Sequence, residues 1–123
     1  MAVRLAPDDD DLSGLTGLVI PGGPGASYRL DKRLGVGGMS VAYFALLRTP
    51  HGECPTVIKI MPPWFVRQSG EAARTSVLKE SVALGRLNEQ VPSTPFVVRL
   101  IDSGTLAVDH GGVQLQLPWL AVE

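Results

Sequence analysis

Cross-linking chemistry is almost missing from this chain: its 123 residues include a single cysteine, Cys54. One thiol cannot form an intrachain disulfide, so the fold rests on packing and hydrogen bonds, and nothing calls for an oxidising compartment. An excess of charge of either sign is missing too. Eleven basic and 12 acidic residues leave a formal net charge of -1, which removes the electrostatic reason to expect nucleic acid or a membrane surface as a partner. No stretch approaches the roughly 18 apolar residues of a membrane-spanning helix. The opening "MAVRLAPDDDDLSG" lacks the apolar core of a signal peptide. The cytoplasm is therefore the expected location.

Glycine and proline, by contrast, are plentiful, at 14 and 10 residues, and their clustering divides the chain. Residues 1–27 read as a flexible arm. They carry the solvated run "DDDD" at 8–11 and the turn-rich "PGGPGAS" at 21–27. Between these lies "LTGLVI", short and apolar, which either adds a strand to the domain or docks on it. The length suits one small domain, placed at 28–123. Within it "YRLDKRL", "VAYFALL" and "TVIKI" read as three strands joined by short loops, an antiparallel meander. "PPW" at 62–64 breaks the pattern, and "EAARTSVLKESVALGRLN" at 71–88 reads as a helix. "FVVRLIDSG" and "VQLQLPWLAVE" supply a fourth and a fifth strand. The expected class is α+β, a five-stranded antiparallel sheet with one main helix.

The segment "LGVGGMSVAYFA" at 34–45 sets three glycines in four positions ahead of a strand. Ordering such a loop costs entropy, so either it is a turn with surplus glycine or its backbone must approach something closely. A dinucleotide fold needs a helix directly after the glycines, and here an aromatic, β-branched run follows. A Walker-type loop needs Gly-Lys-Ser or Gly-Lys-Thr, and neither occurs. The remaining nucleotide context is a glycine hairpin covering phosphates from above. It requires a cation beneath, and Lys59 in "TVIKI" is the candidate. Alternation puts its side chain on the same face as Val57 and Met61, which read as core positions. The plainer reading sets Lys59 on the solvent face of an edge strand. On the expected helix, Val77, Glu80, Leu84 and Leu87 share one face, so Glu80 interrupts an apolar stripe. A carboxylate there is costly unless paired. Either it reaches water at the stripe's edge, or it pairs with a buried cation, for which Lys59 is best placed.

A glycine loop, a strand lysine and a helix glutamate, in this order, resemble the small N-terminal lobe of eukaryotic-like bacterial Ser/Thr protein kinases. "TVIKI" is similar to that family's Val-Ala-Ile-Lys strand, "LKESVALGRLN" to the helix bearing its paired glutamate, and "FVVRLIDSG" and "PWLAVE" to the strands leading into its hinge. The resemblance runs from about Tyr28 to Glu123. It implies that Gly35, Val36, Gly37 and Gly38 cover the phosphates of ATP. Lys59 would bind the α- and β-phosphates, held by Glu80. Leu34, Ala42 and Val57 would line the adenine, with Val122 at its back and the Glu123 carbonyl facing its amino group.

The chain departs from the family at three positions. Ser40 stands where the third glycine is usual, Ala42 where valine is usual, and Val57 where alanine is usual. The last two changes are opposite in size and conserve volume as a pair. "DSG" at 102–104 reads as a strand ending in a turn, not as the metal-binding Asp-Phe-Gly, and neither His51 nor His110 begins a His-Arg-Asp triplet. The family's catalytic loop and metal-binding Asp belong to a C-terminal lobe absent from this sequence. Mg²⁺ is accordingly expected only with that lobe, through which a protein substrate would also bind. The expectation is an ATP-binding piece of a kinase, inactive alone. The alternative is a pseudokinase-like or solitary-lobe interaction module.

Overall fold

Strict alternation organises the middle of the chain. In Val41–Thr49 the side chains of Val41, Tyr43, Ala45 and Leu47 are buried, while Ala42, Phe44 and Leu46 between them are half-buried. A strand of this kind has one core face and one that is only partly covered. The computed structural model describes residues 3–6, 12–36, 40–69 and 100–122. In these the elements are β1 (Val3–Leu5), β2 (Val19–Pro21), β3 (Ser27–Val36), β4 (Val41–Thr49), β5 (Gly52–Ile60), α1 (Pro63–Ser69), β6 (Leu100–His110) and β7 (Val113–Val122).

The expected five-stranded antiparallel sheet with one main helix is overturned. The sheet has seven strands in the order β1-β6-β7-β5-β4-β3-β2. It is mixed, because β1 runs parallel to β6, and it curls into a half-barrel. The two additional strands come from residues 1–27, expected as an arm. Each is only three residues long, too short to give a periodic signal. Each pairs with a strand, β6 or β3, whose outer N–H and C=O groups otherwise lack a ladder partner. Among the described residues the helix is α1, at the very place read as a break. Pro63 occupies its first position, where a missing N–H costs nothing and φ is already helical. The helix expected at 71–88 lies outside the described residues, as do positions 96–99 of the expected fourth strand. That strand also runs further than expected: "DSG" is interior to β6. Its hairpin turn is Gly111–Gly112, with φ of 61° and 87°, the doubly positive form that suits a two-residue hairpin.

One core fills the inner face of the curl, drawing on all seven strands. The chain between β1 and β2 contributes Leu12 and Leu15, both fully buried. Gly17 N donates to Leu30 O at 2.7 Å, and Leu30 N to Leu18 O at 2.8 Å. Leu12 alone among the described non-glycine residues has a positive φ, 56°, a conformation costing roughly 1–2 kcal/mol in an L-residue. Burial of its side chain and a hydrogen bond from the Tyr43 hydroxyl to its carbonyl offset that cost. At one end of the curl Asp102 joins the β2–β3 turn to β6. Its Oδ2 accepts from Gly23 N at 2.8 Å and from the Tyr28 hydroxyl at 3.2 Å, and its Oδ1 accepts from Ser103 N at 2.8 Å. Tyr28 meets Trp119 edge to face, with ring centroids 5.5 Å apart. A smaller cluster, Met61 and Leu120 with Phe65, Val66 and Leu100, seats α1 on the sheet. Arg67 Nη2 secures its end by donating to His110 O at 2.7 Å.

Two measurements check this packing. A Cβ on Gly104 would stand 2.8 Å from Cζ2 of the buried Trp119, whereas Gly35 has open space. Gly104→Ala is expected to cost about 1–3 kcal/mol in chemical denaturation and to perturb tryptophan fluorescence, with Gly35→Ala near neutral. Burial and the adjacent Asp102 raise the Tyr28 pKa well above the ordinary tyrosine value. The fold therefore favours the protonated phenol. This stabilisation is complete below pH about 10 and is lost as pH rises above it. Tyr28→Phe should flatten that alkaline loss of stability.

Candidate functional site

Pairing register decides which expected site residues meet. Gly35 lies opposite Ala42, Ala42 opposite Lys59, Lys59 opposite Leu120, and Leu120 opposite Ser103. A neighbouring row runs Lys32, Phe44, Val57, Val122 and Leu100. Both rows fall on the outer face, opposite the core. Strands are spaced by about 4.8 Å, which puts the Cα atoms of Gly35 and Lys59 about 10 Å apart, with Ala42 between them. A group lying over Ala42 thus touches all three. Ala42 and Val57 sit on adjacent strands in diagonal register, where a gain in volume at one can fill a loss at the other.

One orientation differs from expectation. Val57 and Lys59 were grouped with the core, but both are half-buried on the outer face, and the isoleucines flanking Lys59, Ile58 and Ile60, are fully buried. Apolar neighbours on a strand point the opposite way, so they report the burial of the other face. Leu34 is 54% exposed, which leaves the β3 side open, and Val36, 49% exposed, lies opposite the core-facing Val41. Val122 is buried. Gly37, Gly38, Glu80 and Glu123 lie outside the described residues, and with them the expected pairing of Lys59 with Glu80.

Residues the sequence reading passed over complete the face. Phe44 and Val57 line an open groove of about 450 Å³ together with Cys54, Pro55, Thr56 and Ile101. Alternation from Ala42 would have put Phe44 there, but Ile101 comes from a distant strand and left no local signal. The groove lies where β5 outruns its partner: β7 pairs with β5 only over Trp119–Val122. At that corner the Thr56 hydroxyl donates to Val122 O at 2.8 Å, inside the structure, tying the two strands together. Pro118 marks the other end of the β5–β7 pairing: its carbonyl accepts from Met61 N at 2.9 Å, but its nitrogen, facing the same side, has no hydrogen to return, and the ladder stops at Ile60 and Trp119.

Among the described residues no three His, Cys, Asp or Glu side chains are grouped to hold a metal ion, and no helix is long and apolar enough to cross a membrane. No family model, curated protein or solved structure matches the chain.

Thr56→Val keeps the shape at the corner and deletes the donor to Val122 O. A loss of about 1 kcal/mol is expected in urea unfolding, with the N–H groups of Ala121 and Val122 exchanging faster.

Proposed function

We propose that this chain is the ATP-binding part of a Ser/Thr protein kinase. The observation that carries the reading is the row Gly35, Ala42, Lys59 across one sheet face. The lysine supplies a cation under a glycine-rich hairpin, with apolar contacts beside it. Gly35 adds support: a Cβ there would meet nothing within 4 Å, and its φ lies outside the left-handed region. Nothing inside the described chain requires glycine at that position, whereas close approach of an external group would. On this reading Lys59 holds phosphate oxygens. Ala42, Val57 and Val122 contact the base, and Leu34 covers it from β3. ATP supplies the transferable γ-phosphoryl group, and transfer to a protein hydroxyl would belong to the parent enzyme. A non-catalytic interaction module is the second reading, favoured by Ser40 in place of the third glycine.

Titration of the 123-residue chain with a fluorescent ATP analogue, in competition with ATP, separates them. Saturable binding is expected, weakened about tenfold or more by Lys59→Met, a loss of about 1.4 kcal/mol. Gly35→Val should weaken it as well while leaving the melting temperature unchanged. Equal affinity of the parent chain and Lys59→Met would sink the nucleotide reading.

A further inference from the structure

Residues 3–5 and 12–21 touch both margins of the curl and its interior. β1 pairs with β6, β2 pairs with β3, and Leu12 and Leu15 enter the core between them. We propose that this stretch is a strap bracing the nucleotide-facing hairpin from behind, and that Tyr43 is the positioning residue coupling strap docking to nucleotide binding. The proposal rests on the nucleotide reading above.

The contact point is specific. Tyr43 follows Ala42 on β4 and points to the inner face, where its hydroxyl donates to the Leu12 carbonyl. Its register neighbours are Ile58, next to Lys59, and Arg33, next to Leu34. The anchor of the strap is therefore one residue from three expected nucleotide contacts on three adjacent strands. Leu12 is held in the left-handed region to make this contact. Such a conformation persists only where its surroundings fix it, and it tends to mark a working part of a structure.

The hairpin also has room to respond. The β3–β4 register shifts twice, between Leu30 and Lys32 and between Arg33 and Gly35. Irregularities of this kind bend a strand and re-aim its side chains. The strap fixes the residue just before the first shift, because Leu30 exchanges backbone hydrogen bonds with Gly17 and Leu18. With Leu30 and Tyr43 both held, the segment carrying Leu34, Gly35 and Val36 keeps one aim. A nucleotide on the outer face selects that same aim, so strap and nucleotide strengthen each other's binding. Thermodynamic linkage makes the effect equal in both directions.

Hydrogen exchange with and without ATP, on the whole 123-residue chain, tests the coupling. ATP should slow exchange across residues 12–18 about fivefold or more, with Gln114–Gln116 of β7, which pair with β6 and not with the strap, as the unaffected reference. Tyr43→Phe keeps the ring and removes the donor. It should speed exchange at 12–18 and weaken ATP binding by a similar factor. Leu15→Val loosens the strap without altering β3 or β4. It should act in the same direction, and it carries the test should Tyr43→Phe fail to fold. Faster exchange at 12–18 in a variant with unchanged ATP affinity overturns the coupling and leaves the nucleotide reading intact. Absence of ATP binding by the unaltered chain removes the nucleotide reading first and the coupling with it.

Discussion

A curled sheet that does not close on itself has two edges, and here one short stretch of chain attends to both. The backbone groups along β6 and β3 must find partners or remain open to water and to other chains. Val3–Leu5 serves three positions of the first, and Val19–Pro21 three of the second. Between them in sequence, Leu12 and Leu15 are buried in the core. Most of the inner architecture follows. Tyr43 meets a carbonyl there, and Leu30 gains backbone partners on the strap side. The core has apolar groups on the side where a bare sheet would meet solvent.

The outer face is the complement of that arrangement. Because side chains alternate, every residue committed to the interior frees its neighbour for the surface. Val41, Tyr43, Ile58 and Ile60 face the core, which leaves Ala42, Phe44, Val57 and Lys59 in one half-covered field. Placing a lysine amid apolar groups is tolerable there because the stem can pack while the charged end reaches polar surroundings. The rows across this field are set by backbone pairing, so the relative positions of Gly35, Ala42 and Lys59 do not depend on flexible side chains.

Legibility in the sequence tracked the range of the cause. The strands at 41–47 and around Lys59 could be read because each signal lies within a few residues. β1 could not, since three residues carry no period and its partner lies far along the chain, whereas β2 falls in "LTGLVI", for which an added strand was one of the two readings. Pro63 was read as a breaker, although the same ring starts a helix when it stands first. The outward placement of Lys59 and Val57 was misassigned because the apolar residues around them were counted with them rather than against them. For Glu80, Gly37, Gly38 and Glu123 the comparison does not arise, as they lie outside the described residues.

The pairing of Val3 with Val108 also sets an order of events in synthesis. β1 can find its partner only after residues 6–107 have been translated, and closing so long a loop is entropically slow. Until then the strand formed by Val3, Arg4 and Leu5 has no partner for its backbone groups, and segments left open in this way are prone to associate wrongly. The four aspartates at 8–11 follow it after Ala6 and Pro7 in sequence. Concentrated charge beside an unpaired strand opposes association between chains, so the run suits the interval before β6 exists.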